Sequence, residues 1–131
     1  MSNADVIRGV YAAFQKGDIP AVLAAMAPDI VWNEAENFPY ADRNPYVGPE
    51  AVLNGVFARL GGEWNGFSVK EDELIDAGDT IVTLGRYGGA PKATGRNIDA
   101  QFAHVWRFRN GKIVGFQQYT DTLQTTRAMG G

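Results

Sequence analysis

One predicted hairpin near the C-terminus carries the residue types best suited to acid–base chemistry. Its first strand alternates, and its apolar face is interrupted by His104, the only histidine of the chain. An Asn-Gly pair at 110–111 predicts a tight turn, and the return strand ends at Asp121. An imidazole and a carboxylate on neighbouring strands can share a proton or polarise a carbonyl group. We therefore predict a small pocket, with Asp121 and His104 as its candidate catalytic residues.

Each of these two residues also has an ordinary structural interpretation. A histidine on an apolar strand face is often a core side chain bonded to a nearby polar group. An aspartate at the end of a strand often caps the segment that follows, or pairs with an arginine. The sequence leaves both interpretations open.

Further residues are candidates for contact with a ligand. Trp32 and Glu34 share one side of a predicted early strand, and a carboxylate beside a large aromatic ring on an inward face needs a partner unless it is solvated. Glu34 is therefore a second candidate acid. Gln117 and Tyr119 share a predicted strand face with Asp121. The candidate ligand-binding residues are Trp32, Glu34, Tyr40, Trp64, Tyr87, Trp106, Gln117 and Tyr119, although aromatic residues also fill any small core.

The periodicity predicts a single α+β domain over residues 1–131. Helical spacing indicates a first helix capped by Asn3, a short second helix from Asp18, and a third over about 49–60. Strand patterns lie at 30–35, between the second and third helices, and at 67–76 and 80–87, before the two strands of the hairpin. A loop rich in proline and aromatic residues covers 37–49.

Composition excludes several classes of function. The chain has 131 residues, 45% of them hydrophobic, a net charge of −3 and no cysteine. The charge gives no basis for binding nucleic acid, and one histidine without cysteine argues against a dedicated metal site, so we expect no metal and no cofactor. Neither a signal peptide nor a membrane span is predicted, and we expect a cytoplasmic protein.

The chain resembles the nuclear-transport-factor-2-like superfamily, in the branch of SnoaL-like polyketide cyclases and ketosteroid-isomerase-related proteins. The resemblance covers nearly the whole chain. It is carried by the segments 27–32, 46–52, 78–87, 94–95, 102–112 and 119–122. It implies a cone-like fold, in which a strongly curved, mostly antiparallel sheet holds three helices on its concave side around an apolar pocket. It also implies a homodimer.

The resemblance further implies a function. Polyketide cyclases of this kind use an aspartate near the end of the last strand as general acid or base, and Asp121 matches that position. We therefore expect a cofactor-independent isomerase, cyclase or dehydratase that removes a proton next to a carbonyl of a small hydrophobic substrate containing a ring. The alternative is a protein that binds such a molecule in the same pocket without turnover.

Overall fold

Five helices are formed by local signals in the sequence. The computed structural model describes residues 1–131. Ser2, rather than Asn3, caps the first helix, because its hydroxyl accepts from the Asp5 N–H while the Asp5 carboxylate accepts from the Ser2 N–H. The α-helices are α1 (Asn3–Gln15), α2 (Ile19–Ala24), α3 (Pro49–Val52), α4 (Ala58–Glu63) and α5 (Thr122–Ala128).

The predicted third helix is one continuous helical run with an unusual middle. A π-helical stretch, Leu53–Phe57, joins α3 to α4. Within it, Gly55 leaves room for the ring of Tyr46, since a Cβ at this position would lie 2.1 Å from that ring. The predicted loop at 37–49 also contains a short 3₁₀ helix, Pro39–Arg43. The C-terminal helix α5 was not predicted.

Six strands form one curved, open, mixed sheet. The strands are β1 (Met26–Asn33), β2 (Tyr46–Val47), β3 (Trp64–Ala77), β4 (Thr80–Pro91), β5 (Ile98–Arg109) and β6 (Lys112–Thr120). Their order is β2-β1-β6-β5-β4-β3, with β1 parallel to β6 and every other pair antiparallel. The early strand β1 begins at Met26, four residues before the predicted start at Ile30. The α+β class and the mostly antiparallel sheet are confirmed.

A β-bulge at Val114 decides which side of β6 faces the helices. A regular two-residue hairpin would place His104 opposite Gln117, but the extra residue places it opposite Gln118. A one-residue shift moves every later side chain to the other face. Gln118 is therefore buried, whereas Tyr119 is 57% exposed.

The helices cover one face of the sheet and enclose the core. α1 and α4 pack on β3, α2 and α3 pack on β1, and α5 packs on β5. The apolar stripe of α1 faces inward, with Ile7, Val10 and Tyr11 buried. None of the helices has the length and apolar character needed to cross a membrane.

Candidate functional site

A mostly apolar cavity of about 50 Å³ lies between the helices and the inner face of the sheet. Seventeen residues line it, 14 of them hydrophobic, and the other three are Glu34, His104 and Gln118. No lysine or arginine is among them. Charge on a ligand or on Glu34 therefore has no cationic partner in the cavity wall.

His104 is held between two tyrosines. Its Nδ1 lies 2.6 Å from the Tyr11 hydroxyl, and its Nε2 is hydrogen-bonded to the Tyr87 hydroxyl. The Phe102 ring stacks on the imidazole, with 4.0 Å between ring centroids. Burial lowers the pKa of His104 to about 3, because a charged imidazolium would lose its hydration here. The ring is therefore neutral at ordinary pH, with one donor and one acceptor nitrogen.

The hydrogen-bonded row formed by Tyr11, His104 and Tyr87 continues beyond Tyr11 into the core. The Tyr11 hydroxyl lies 2.5 Å from the Thr83 hydroxyl oxygen. Trp106 directs its Nε1–H at both oxygens, with distances of 3.2 Å. Burial raises the pKa of Tyr11, so the phenol stays protonated. This end of the row is a neutral network with its polar atoms paired.

Gln118 forms the other end of the row. Its Nε2 donates to the Tyr87 hydroxyl at 3.0 Å, and its Oε1 accepts from the backbone N–H of Ala35 at 3.0 Å. Through these two bonds, Gln118 links the hydrogen-bond network of His104 to the chain segment that follows β1. Burial raises the pKa of Tyr87 well above its ordinary value.

Glu34 is the only acidic residue in the cavity wall. Its side chain is buried, and its one protein hydrogen bond comes from Trp32 Nε1, 3.2 Å from Oε2. The Asn44 side chain fixes the Glu34 backbone through both its N–H and its C=O. Burial raises the pKa of Glu34 to about 8, while the Trp32 bond and the charge of Arg59 oppose the increase. Glu34 is therefore a carboxyl group that exchanges its proton near neutral pH.

Four of the predicted ligand-binding residues lie outside the cavity, and two of them, Tyr40 and Trp64, are hydrogen-bonded to each other. Tyr40 donates to Glu63 at 2.6 Å and accepts from Trp64 Nε1 at 3.0 Å. Arg59 lies 4.3 Å above the Tyr40 ring and forms an ion pair with Asp42 at 2.8 Å. Neither Tyr40 nor Trp64 lines the cavity, whereas the predicted residues Trp32, Glu34, Tyr87, His104 and Trp106 do.

Asp121 lies on the outside of the molecule. Its Oδ1 accepts from the Gln124 backbone N–H at 3.1 Å, so it caps α5, and its Oδ2 accepts from the Gln124 side chain at 3.1 Å. The Gln124 backbone bond, followed by the side-chain bond, lowers the pKa of Asp121. The structure does not bring Asp121 together with His104. Gln117 and Tyr119 also lie away from the cavity, because the bulge in β6 turns this side of the strand outward.

Two polar members of the site, Tyr11 and Gln118, were not predicted from the sequence. Tyr11 lies in the apolar stripe of α1, a position typical of a core residue, although a buried tyrosine hydroxyl needs a hydrogen-bond partner. Gln118 follows Phe116 by two residues in β6, and that spacing would have placed it inward with the phenylalanine. The bulge has no comparable signal in the sequence.

Comparison with known proteins places this geometry in a family. Residues 7–116 match a family model with the description "SnoaL-like domain". This chain belongs to the SnoaL-like family. No curated protein is detectably similar in sequence.

Solved structures resemble the SnoaL-like chain over its full length. A nuclear-transport-factor-2-like protein from Burkholderia thailandensis E264 is 41% identical, with a TM-score of 0.95, over 100% of this chain and 99% of that one. A second, of unknown function, from Burkholderia pseudomallei K96243 is 33% identical, with a TM-score of 0.90, over 100% of both chains. TerC, co-crystallised with polyporic acid, is 25% identical, with a TM-score of 0.87, over 98% of both chains.

Proposed function

We propose that this SnoaL-like protein is a cofactor-independent acid–base catalyst for a small, mostly apolar carbonyl compound, with Glu34 as the proton-transferring group. The supporting observation is the carboxyl group of Glu34, which is buried in an apolar cavity without a cation and has a pKa of about 8. A carboxylate of that basicity is much better suited to removing a proton next to a carbonyl than an exposed one. Asp121 has the opposite environment, since it is only partly buried and its carboxylate accepts two hydrogen bonds from Gln124.

The proposed reaction needs no co-reactant. The Glu34 carboxylate takes the proton from the carbon next to the carbonyl, and the electron pair of the C–H bond moves to give an enolate. A neutral hydroxyl from the Tyr11–His104–Tyr87 row donates a hydrogen bond to the enolate oxygen. Glu34 then returns the proton to the same carbon or, in a conjugated substrate, to a different one. The second outcome is isomerisation.

The cavity supports a small ligand rather than a large polycyclic one. Its volume of about 50 Å³ is below the roughly 150 Å³ of an engineered cavity that accepts benzene. A single small ring therefore requires modest movement of the side chains that line the cavity, such as Phe38, Phe57 or Leu60. The relative TerC was co-crystallised with polyporic acid, a compound that contains rings, which is in line with a ligand that contains a ring.

The test is exchange of carbon-bound hydrogen. Cyclopentanone in heavy water is incubated with the protein, and incorporation of deuterium next to the carbonyl is followed by NMR. We expect the wild-type protein to accelerate exchange and Glu34→Gln to reduce it by about a hundredfold or more, as expected for loss of a general base. Glutamine keeps the shape of the side chain but cannot take the proton.

The matched control is Glu36→Gln, which removes an exposed carboxylate two residues away and is expected to keep full activity. Asp121→Asn is also expected to keep full activity. Equal exchange by wild type and Glu34→Gln would contradict the proposal. Saturable binding of the ketone without any exchange would favour the alternative, a protein that binds without turnover.

A further inference from the structure

The orientation of one buried amide determines the direction of the hydrogen bonds along the cavity wall. The backbone N–H of Ala35 can only donate, so the Gln118 atom facing it at 3.0 Å is the oxygen. The Gln118 NH₂ group then faces the Tyr87 hydroxyl at 3.0 Å and donates to it. The Tyr87 oxygen is therefore already an acceptor before His104 is considered.

The proton of Tyr87 then has one acceptor within the protein, His104 Nε2. If Nε2 carried the imidazole proton instead, Tyr87 would accept twice and its own proton would have no protein acceptor. A buried donor without a partner costs free energy. Among the protein's own groups, the favoured form of His104 carries its proton on Nδ1, donates to Tyr11, and leaves the Tyr11 proton for Thr83.

We propose that Gln118 is a positioning residue that, through Tyr87, sets the tautomer of His104 and makes the Tyr87 hydroxyl the donor for a ligand carbonyl. A ligand oxygen in the cavity provides the missing acceptor for the Tyr87 proton. The imidazole is then favoured with its proton on Nε2, where it donates to Tyr87, while Tyr11 donates to Nδ1. Both arrangements contain a neutral histidine, so the ligand selects between two tautomers of equal charge.

Recognition by this row is specific for a neutral acceptor. The lining residues include no lysine or arginine, and Glu34 contributes the single acidic group. A carboxylate or phosphate would therefore be desolvated without a counter-charge. A carbonyl oxygen requires only a hydrogen-bond donor, and the bond from Gln118 polarises Tyr87 in the sense that strengthens its donation. The identity of the ligand as a carbonyl compound rests on the proposed function; the tautomer in the free protein does not.

Gln118 also connects the two walls of the site. Gln118 accepts a hydrogen bond from the backbone N–H of Ala35, and Ala35 directly follows Glu34 in the chain. The same amide thus holds the segment that carries the proposed base and orients the hydroxyl that faces the ligand. The titratable groups around His104 are Tyr11 and Tyr87, with Glu34 in the same cavity wall. Glu71 lies close enough to raise the pKa of Tyr11 slightly.

Nitrogen NMR of the imidazole tests the proposal directly, because the chain has a single histidine. In the free wild-type protein we expect the spectrum of the tautomer protonated on Nδ1. In Gln118→Glu, an ionised carboxylate accepts from both Ala35 N–H and Tyr87 O–H. Tyr87 must then accept from Nε2–H, so we expect the tautomer to invert as rising pH ionises the introduced carboxyl group.

Gln117→Glu is the matched control, because it introduces the same carboxylate one residue away, outside the cavity wall. We expect the wild-type tautomer in this variant at every pH. A purely structural role for Gln118 would lower stability in Gln118→Glu without inverting the tautomer. The proposal is overturned by a wild-type ring protonated on Nε2, or by a Gln118→Glu spectrum that stays unchanged with pH while the protein is folded.

The wild-type spectrum decides the first point even if Gln118→Glu does not fold. It is also independent of the exchange assay on Glu34. Failure of Glu34→Gln to reduce exchange would remove the proposed base and leave the tautomer result intact. A wrong tautomer would remove the role of Gln118 and leave the base intact.

Discussion

Glu34 combines two properties that separate it from every other carboxyl group of the chain. It is 3% exposed, and it accepts a single protein hydrogen bond, from Trp32. Carboxylates on the surface, such as Asp42 and Asp121, are bonded in ways that lower their pKa. A group that must ionise inside an apolar wall has the opposite tendency. The chemistry that such a residue supports is therefore pH-dependent in a predictable direction.

The rate of ketone exchange is expected to rise with pH. Only the ionised form of Glu34 can take a proton, and its pKa is about 8, so activity should increase through this pH and level off above it. The measurement is the exchange rate of the ketone as a function of pH, corrected for the reaction without protein. A profile that is flat between about pH 6 and pH 9 would exclude Glu34 as the base.

At the residue scale, the sequence predicted two polar residues of the cavity wall but not the hydrogen-bond network that surrounds the histidine. His104 could be identified because a single imidazole interrupts an apolar strand face, and Glu34 because it shares a side with Trp32. The roles of Tyr11 and Gln118 depend on contacts between distant segments, separated from their partners by up to 95 residues. No local pattern reports such contacts.

Among the secondary-structure elements, α5 gives Asp121 its role. The carboxylate accepts the Gln124 N–H, which has no partner within the helix. The sequence offered capping as one interpretation of an aspartate at this position, and the structure realises it. The position of a strand end alone could not distinguish a cap from a catalytic residue, since both require a carboxylate there.

Removal of this cap is expected to destabilise the protein without affecting the site. Asp121→Ala should lower the free energy of unfolding by about 1 kcal/mol, whereas Asp121→Asn should lower it much less, because asparagine caps helices almost as well. Urea unfolding followed by circular dichroism measures both. Equal stability of the alanine and asparagine variants would contradict a capping role.

The helices and strands of this chain were predictable to different degrees. Amphipathic spacing found α1 and α2, and alternation found the antiparallel strands β3 to β6. The parallel pairing of β1 with β6 and the two-residue strand β2 depend on long-range contacts. The side of β6 that faces inward depends on Val114, whose role as the extra residue is set by the pairing with β5.

On the scale of the whole molecule, Glu34 and His104 exert opposing effects on stability as pH changes. Glu34 has a folded pKa of about 8 against an ordinary 4.5, so the unfolded chain binds fewer protons between these values and stability falls as pH rises. His104 has a folded pKa of about 3 against 6.5, so the unfolded chain binds more protons between these values and stability falls as pH drops. Their contributions cancel between 4.5 and 6.5.

The two groups therefore predict a plateau with a decline on each side. Above pH 6.5 the Glu34 effect acts alone, and below pH 4.5 the His104 effect acts alone. We expect Glu34→Gln to remove the alkaline decline, which amounts to about 2 kcal/mol between pH 6.5 and about pH 8, at roughly 1.4 kcal/mol per pKa unit. Urea unfolding at a series of pH values, with Glu36→Gln as the control, measures it. An identical alkaline decline in wild type and Glu34→Gln would contradict the burial of an ionisable group at position 34.

The single extra residue in β6 also has a consequence for evolution. Deleting Val114 would restore a regular hairpin and leave every later pair as it is, with Gln118 still opposite His104. The bulge thus takes up one extra residue of the strand without changing which side chains beyond it face the helices. A lineage built on this scaffold can therefore change the length of this hairpin by one residue while Phe116 and Gln118 keep their places in the cavity wall.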